Sequence, residues 1–371
     1  MKFQVKLMAA AAAMAMAGMA QAQFDPTPAT GNTSAPSNWR FAPGQVFNGV
    51  AGALDGVARL SFTAGDGNSY ACSGSLLAGG QYVLTAGHCA DDFTSMTVQF
   101  GWFNGTAQVS RTVATSDVTL HPLWQGFDNS ADNGSDIAIL KLSAPVTSIQ
   151  GYKISTSNDV GKQILVAGYG TSGRGSVNSA PSWADGNYGH YGYNVIDVDS
   201  KTFNKAIGDV LPGWGYDAAY YAPGATYMSD FDHLNLNANN NTLGRIAAAT
   251  GNLWTSNSGL GANEALIAGG DSGGGDFVWD GTEWRVTGVH SWGWGGNNPC
   301  GALGLTSPSC DAFTGNGSSY GDLSGSTATY SHADWIASVV GVAAVPEPSS
   351  YALMGLGLLA VGAVARRRRQ A

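Results

Sequence analysis

Apolar residues recur along this chain in short bursts, often alternating with polar ones, and nearly every burst is closed by Gly, Asn, Asp or Ser. Val57–Phe62, Tyr82–Ala86, Met96–Phe100, Gln108–Val113, Ile137–Leu142 and Gln163–Ala167 read as strands, and Phe277–Trp279 and Trp284–Trp292 form a later set. A period near two between Gly-rich turns marks half-buried strands, and many such strands predict an all-β barrel or sandwich. One segment breaks the pattern. In Tyr330–Val342, Trp335, Ile336, Val339 and Val340 recur at helical spacing behind a capping-type Ser331 and Asp334, which predicts a C-terminal helix.

Two stretches carry little periodicity. Residues 23–45 mix Pro, Ser, Thr, Asn and Gly and read as a flexible leader or propeptide. Residues 171–262 are rich in Gly, Asn and Tyr. They read as elaborated loops on a β scaffold, because long unpatterned stretches inside a domain usually serve function.

Composition supports the β reading. Charged residues are 12 % of the 371 positions, about half the usual ~25 %, and glycine, at 53 residues, is about twice its usual ~7 %. The two ends are set apart. Residues 1–22 start with Lys2 and Lys6, run through Ala and Met without a polar face, and end in Ala20-Gln21-Ala22, the pattern of a cleaved secretory signal. At the other end Val345-Pro346-Glu347-Pro348 precedes an apolar segment, Tyr351–Ala365, and then Arg366–Arg369. Those fifteen residues are shorter than the ~17–25 that span a bilayer comfortably, and the Arg block belongs on the cytoplasmic side. This order resembles the PEP-CTERM sorting signal of Gram-negative bacteria. The resemblance implies export to the periplasm, cell surface or medium, handling of residues 345–371 by an exosortase-type enzyme, and transient membrane anchoring. A plain C-terminal transmembrane helix gives nearly the same topology.

Setting aside Lys2, Lys6, Arg366–Arg369 and Glu347 leaves 11 basic and 25 acidic residues, a net −14. Such a body repels nucleic acid and anionic membrane, and no nucleic-acid partner is expected. Four cysteines, Cys72 and Cys89, then Cys300 and Cys310, lack C-x-x-C spacing. In an exported chain they fit two local disulfides rather than a zinc site.

Three residues carry candidate chemistry. An apolar run ends in Leu84-Thr85-Ala86-Gly87-His88-Cys89, where a small-residue turn presents His88 and a disulfide would fix it. Asp136 opens the apolar strand Ile137–Leu142, a partly buried place where a carboxylate needs a partner. Ser272 lies in Gly269-Gly270-Asp271-Ser272-Gly273-Gly274, where glycine allows positive φ and lets the Gly270 and Ser272 amides converge on one point. Amide hydrolysis needs a nucleophile, a base and a carboxylate that orients the base.

The segments LTAGHC, DIAILKL, GDSGG and VHSWGWG, in this order, resemble the chymotrypsin/trypsin family of serine proteases, the worked case of the Ser-His-Asp triad. The resemblance covers about residues 46–341. It implies two antiparallel six-stranded β-barrels, about 46–155 and 156–343, and a C-terminal helix. It makes His88 the general base, Asp136 its orienter, Ser272 the nucleophile, and Gly270 and Ser272 the oxyanion donors, with peptide or protein substrates and no cofactor or metal. Ser291-Trp292-Gly293 matches the edge that pairs with substrate backbone. Leu266 matches the floor of the specificity pocket, which argues against a Lys or Arg preference, and His290 stands where glutamate-specific relatives carry histidine, although a core histidine fits as well.

The family often buries a newly cut N-terminus against the residue here numbered Asp271. The matching start is Val46-Phe47-Asn48-Gly49, yet Val46 follows Gln45, and Arg40 is the only basic residue of the leader. Either that start or local groups must neutralise Asp271. Asp230, Asp232, Asn235, Asn237 and Asn239 offer oxygen ligands without EF-hand spacing and read as a solvated turn. A catalytically silent surface binding module on the same scaffold is the competing reading.

Overall fold

The computed structural model describes residues 36–130, 133–173, 175, 184–214, 225–232, 241–294, 300–305 and 318–341. The signal segment, most of the leader, the C-terminal sorting segment, Asn235, Asn237, Asn239 and Cys310 lie outside them. Among the described residues no helix is long and apolar enough to cross a membrane. The chain divides into two compact units, residues 1–332 and 333–371.

Most regular structure of the first unit is antiparallel β, chiefly in two barrel-type sheets. The first runs, edge to edge, Val109–Val113, Ser95–Phe100, Val57–Thr63, Ser69–Leu76, Tyr82–Thr85, Ala138–Lys141 and Val118–Leu120. The second runs Arg40–Phe41, Gly189–Val195, Gln163–Gly168, Gly275–Trp279, Trp284–Trp294, Leu323–Ala328, Thr226–Asp230 and Val198–Asp199, with Lys153–Ile154 added in parallel to Trp284–Trp294. Each sheet holds six strands of four or more residues, so the expected six are present and the rest are edge fragments of two or three residues.

The first sheet follows its sequence pattern. In Ser95–Phe100 every second residue is buried, and Leu60, Leu76, Leu84, Val98, Phe100 and Ile139 fill the interior. Ser69–Leu76 escaped the sequence reading because its buried half is Cys, Ser and Gly. In the second sheet Leu323–Ala328, a run of small residues, is buried throughout, so it shows no alternation.

The stretch read as elaborated loops contributes more than loops. It supplies the strands Gly189–Val195 and Thr226–Asp230 and two helices, Ser200–Val210 and Thr242–Ala249. Asp199 and Asn241 cap these helices by accepting the amides of Thr202 and Gly244, each such cap being worth about 1 kcal/mol. Phe203, Ile207, Leu243 and Ile246 pack with Val198, Met228, Trp254 and Leu323, so the insertion has a core of its own.

The leader is corrected in part. Residues 36–45 are built into the fold: Arg40 and Phe41 pair with His190 and Gly189, and Trp39 and Phe41 are buried. Arg40 holds Asp185 through two bonds, Nε at 2.7 Å and Nη2 at 2.5 Å, and lies over the Tyr188 ring. Val46 and Phe47 then pair with Ala51 and Val50 around Asn48 and Gly49, both at positive φ, a two-residue hairpin with the Asn-Gly turn that its twist favours.

The second unit contains the helix Ala333–Val340. It begins three residues later than its sequence pattern suggested, because Thr329–His332 winds as a tighter 3-10 turn. Ser331 Oγ is taken by the Ala225 amide instead of capping.

Cys72 and Cys89 are disulfide-bonded and close a loop of 17 residues. Cys300 is also disulfide-bonded. Replacing Cys72 and Cys89 together by alanine is expected to lower unfolding free energy by about 3 kcal/mol, the loop-closure value for this length, as read from urea denaturation of the two proteins.

Candidate active site

His88 sits in a 3-10 turn, Gly87–Cys89, at the end of strand Tyr82–Thr85. A side chain at Gly87 would run into the Trp124 ring, so glycine lets the turn lie close, and Phe127 meets the His88 ring edge to face at 5.0 Å. Asp136 is fully buried. Its carboxylate accepts three bonds: His88 N at 3.0 Å on Oδ1, and His88 Nδ1 at 2.8 Å and Ser291 Oγ at 2.6 Å on Oδ2. An ionised carboxylate only accepts, so His88 Nδ1 carries the proton and Nε2 is left as the acceptor.

Ser291 reaches Asp136 through a β-bulge. Register in the pairing with Leu323–Ala328 shifts between His290 and Trp292, and the extra residue turns its side chain aside, as bulges beside functional sites do. From the neighbouring strand Leu323–Ala328, Thr327 Oγ1 donates to Asp136 O at 3.0 Å. Both barrels therefore hold this aspartate.

The Ser272 turn is locked against the other barrel by Ser73. Ser73 N donates to Ser272 O at 2.7 Å, Ser73 Oγ donates to Gly270 O at 3.0 Å, and Tyr169 N donates to Ser73 Oγ at 2.8 Å. Gly273, at φ +78°, has no space for a Cβ, which would fall on Thr85 Oγ1 and 2.9 Å from Ala86 N. The disulfide sulfur of Cys89 lies 3.6 Å from Ser272 O. Ser272 is thus pressed against the turn that carries His88. Its hydroxyl makes no hydrogen bond among the described residues, and such contacts often tighten only with substrate bound. The amides of Gly270 and Ser272 donate to no described acceptor, and Gly270 has φ +97°.

Asp271, next to Ser272, is buried and satisfied locally. It accepts Gly170 N at 2.7 Å and Ala268 N at 2.9 Å. Burial pushes its carboxyl above the usual range, against the opposing charge of His290 and those two amides. His290 is fully buried, with Nε2 3.0 Å from Asp276 Oδ1 and Nδ1 3.1 Å from Asp271 O. Burial lowers the His290 pKa, but Asp276 and Asp271 outweigh it and raise the group above its ordinary value. Two acceptors on two ring nitrogens fit an imidazolium. Val46, the expected partner of Asp271, is instead 59 % exposed in its hairpin.

The structure corrects several specificity assignments. His290 is a core histidine bound to Asp276, and Ser291 is spent on Asp136. Leu266 is buried against Phe231 and Tyr320; it lines a void of about 10 Å³, room for one water at most. Trp292 and Gly293 fit the expectation better. Trp292 is half-buried on Gly325 and Gly293 is exposed. Beyond Val289 this strand pairs with Leu323–Ala328 while its ladder with Gly275–Trp279 has ended, which leaves one edge open.

Among the described residues, one trio of metal-type ligand atoms lies close together, Cys72, His88 and Cys89. Its sulfurs are consumed in the disulfide and its imidazole is engaged with Asp136, so the trio does not fit a metal. The solvated-turn reading of Asp230 and Asp232 is also corrected: they are 0 % and 1 % exposed, because Asp230 ends a central strand and Leu243 N donates to its Oδ2 at 2.7 Å.

Sequence reasoning missed Ser73, Thr327 and Asp276. Ser73 stood beside a cysteine, and Asp276 lies within four residues of Ser272, but only the packed barrels show what they touch.

Residues 48–194 match the Trypsin family model, and residues 344–369 match the PEP-CTERM protein-sorting motif. Residues 48–194 are thus similar to the trypsin family, and residues 344–369 to a PEP-CTERM sorting motif. It is 30 % identical over 122 residues to proproteinase E of Bos taurus, covering 32 % of this chain and 42 % of that protein. It is 33 % identical over 93 residues to chymotrypsin-like elastase family member 1 of Canis lupus familiaris, covering 24 % of this chain and 34 % of that protein. The matched segment thus spans less than half the length of either relative. The solved structure of HL collagenase superposes with a TM-score of 0.50 at 18 % identity, covering 82 % of this chain and 98 % of that one. This likeness shows the fold.

Ser291→Ala takes one of three donors from a buried carboxylate. It is expected to cost about 1.5–3 kcal/mol of stability, the value of a hydrogen bond to a charged group, measured by chemical denaturation. His332 gives a pH test. Its Nε2 donates to Gly134 O, just ahead of Asp136, and burial together with the His121 charge pushes its pKa from 6.5 down to about 4. The folded protein therefore resists a proton that the unfolded chain accepts. Stability is expected to fall as pH drops from about 6.5 to 4, by about 3 kcal/mol, relative to a His332→Asn variant titrated in parallel.

Proposed function

We propose that the protein is an exported serine endopeptidase that cleaves peptide bonds through an acyl-enzyme. The reading rests on one observation above all: a fully buried carboxylate, Asp136, holds both the ring and the amide of His88 at 2.8 and 3.0 Å, beside the locked Ser272 turn. Asp136 fixes the tautomer that leaves Nε2 basic. Nε2 takes the Ser272 proton as Oγ attacks the substrate carbonyl, and returns it to the leaving amine. The Gly270 and Ser272 amides receive the oxyanion, a contribution of about 3–4 kcal/mol per donor where such donors have been removed.

Trp292 and Gly293 offer the open strand edge along which an extended substrate adds as a further strand. The N-terminal and C-terminal segments direct export and exosortase-type processing, and the domain extends over about 46–343. The turn is held by Asp271's local amides and by His290, which makes a cut N-terminus at Val46 unnecessary.

Purified exported protein is expected to hydrolyse casein and to be labelled by a fluorophosphonate at Ser272. Ser272→Ala is expected to lose the label and about 10⁵–10⁶-fold in kcat, with the fold retained by circular dichroism. Correctly folded wild-type protein that neither reacts nor cleaves would sink this reading in favour of a silent binding module.

A further inference from the structure

Asp197, Asp230, Asp232 and Glu264 share one region of the second barrel, each at most 2 % exposed. Asp230 ends strand Thr226–Asp230, Asp232 follows two residues later, Asp197 precedes Val198–Asp199, and Glu264 lies on the segment that leads to Ser272. The ion pairs of the described residues include none of them. Their bonds come mainly from amides: Leu243 N to Asp230, Asn257 N to Asp197 at 3.1 Å, and Asp232 N and Leu260 N to Glu264 at 2.8 and 2.5 Å.

Those amides leave oxygens over. Asp197 Oδ2, Asp230 Oδ1 and both carboxylate oxygens of Asp232 are buried without a hydrogen-bond partner among the described residues. Asp232 Oδ2 and Glu264 Oε2 flank Gly259, where a Cβ would stand 3.2 and 2.8 Å from them. A residue without a side chain, at φ +90°, keeps that space clear. A buried unpaired carboxylate costs several kcal/mol, and four together, three of them with idle oxygens, call for a cation that Lys and Arg do not supply.

We propose that Asp197, Asp230, Asp232 and Glu264 bind a calcium ion that ties the helical insertion to the segment leading into the Ser272 turn. The donors are all oxygen, which selects a hard cation over zinc or copper. Calcium accepts irregular shells of six to eight oxygens, whereas magnesium demands near-octahedral geometry and sheds water reluctantly. No three of these carboxylates place oxygens within 4.8 Å of one another. Binding therefore draws at least two of the four inward, among them Asp232, whose carboxylate no donor among the described residues holds.

The test is calcium titration of the purified exported protein after EDTA treatment, read by calorimetry and thermal unfolding, with Asp232→Asn and Glu264→Gln in parallel. The wild type is expected to bind one calcium ion per chain and to gain about 5–10 °C in Tm at a hundredfold excess over Kd; both variants are expected to lose most of that gain. A wild type indifferent to calcium overturns the proposal whether or not the variants fold. Undiminished calcium binding in both folded variants overturns the assignment to these residues, and an equal response to magnesium overturns the choice of ion.

Discussion

Close backbone contact between the barrels at Gly273 is the constraint on which the candidate site depends. A Cβ there would collide with Thr85 and Ala86, so the turn holding Ser272 lies against the end of the strand that presents His88. Ser73 holds the approach with its amide and hydroxyl, and the Cys72–Cys89 disulfide fixes the two first-barrel segments on either side. The geometry of the candidate site is a consequence of how two sheets meet. Ser272 and His88 come from different sheets, and neither segment could set their separation alone.

Asp136 shows how a buried charge becomes affordable in such a junction. Removed from water, a carboxylate must find donors in the protein, and it finds one amide, one imidazole and one hydroxyl. The hydroxyl comes from the second barrel, delivered by a bulge just beyond the point where the strand's ladder with Gly275–Trp279 ends. One irregular residue thus serves to orient His88. Below the turn, the Asp276–His290 pair and the amides around Asp271 set a second balanced network.

Legibility of the fold varied with residue size. Strands such as Ser95–Phe100, with large apolar residues at every second position, are evident from the sequence alone. Ser69–Leu76 and Leu323–Ala328 are not, since Ser, Gly and Ala leave no hydrophobic period although tertiary contacts bury them. The helices Ser200–Val210 and Thr242–Ala249 were lost in a Gly- and Asn-rich background whose turn signals masked their apolar faces. Residues 36–45 read as leader because they continue a stretch that mixes Pro, Ser, Thr, Asn and Gly without apolar periodicity, yet Trp39 and Phe41 anchor them.

The sequence by itself determined the class of fold and the sorting motif, and it singled out His88, Asp136 and Ser272 as candidates, because each stands in a local motif whose chemistry is written in adjacent residues. Only the tertiary structure decided what those residues meet. It showed that Ser291 serves Asp136, that His290 lies in the core against Asp276, that Leu266 is sealed under Phe231 and Tyr320, and that Asp271 is satisfied without Val46. These pairings join positions tens to hundreds of residues apart. Hydrogen bonds and burial depend on distance in space, which local patterning along the chain does not encode.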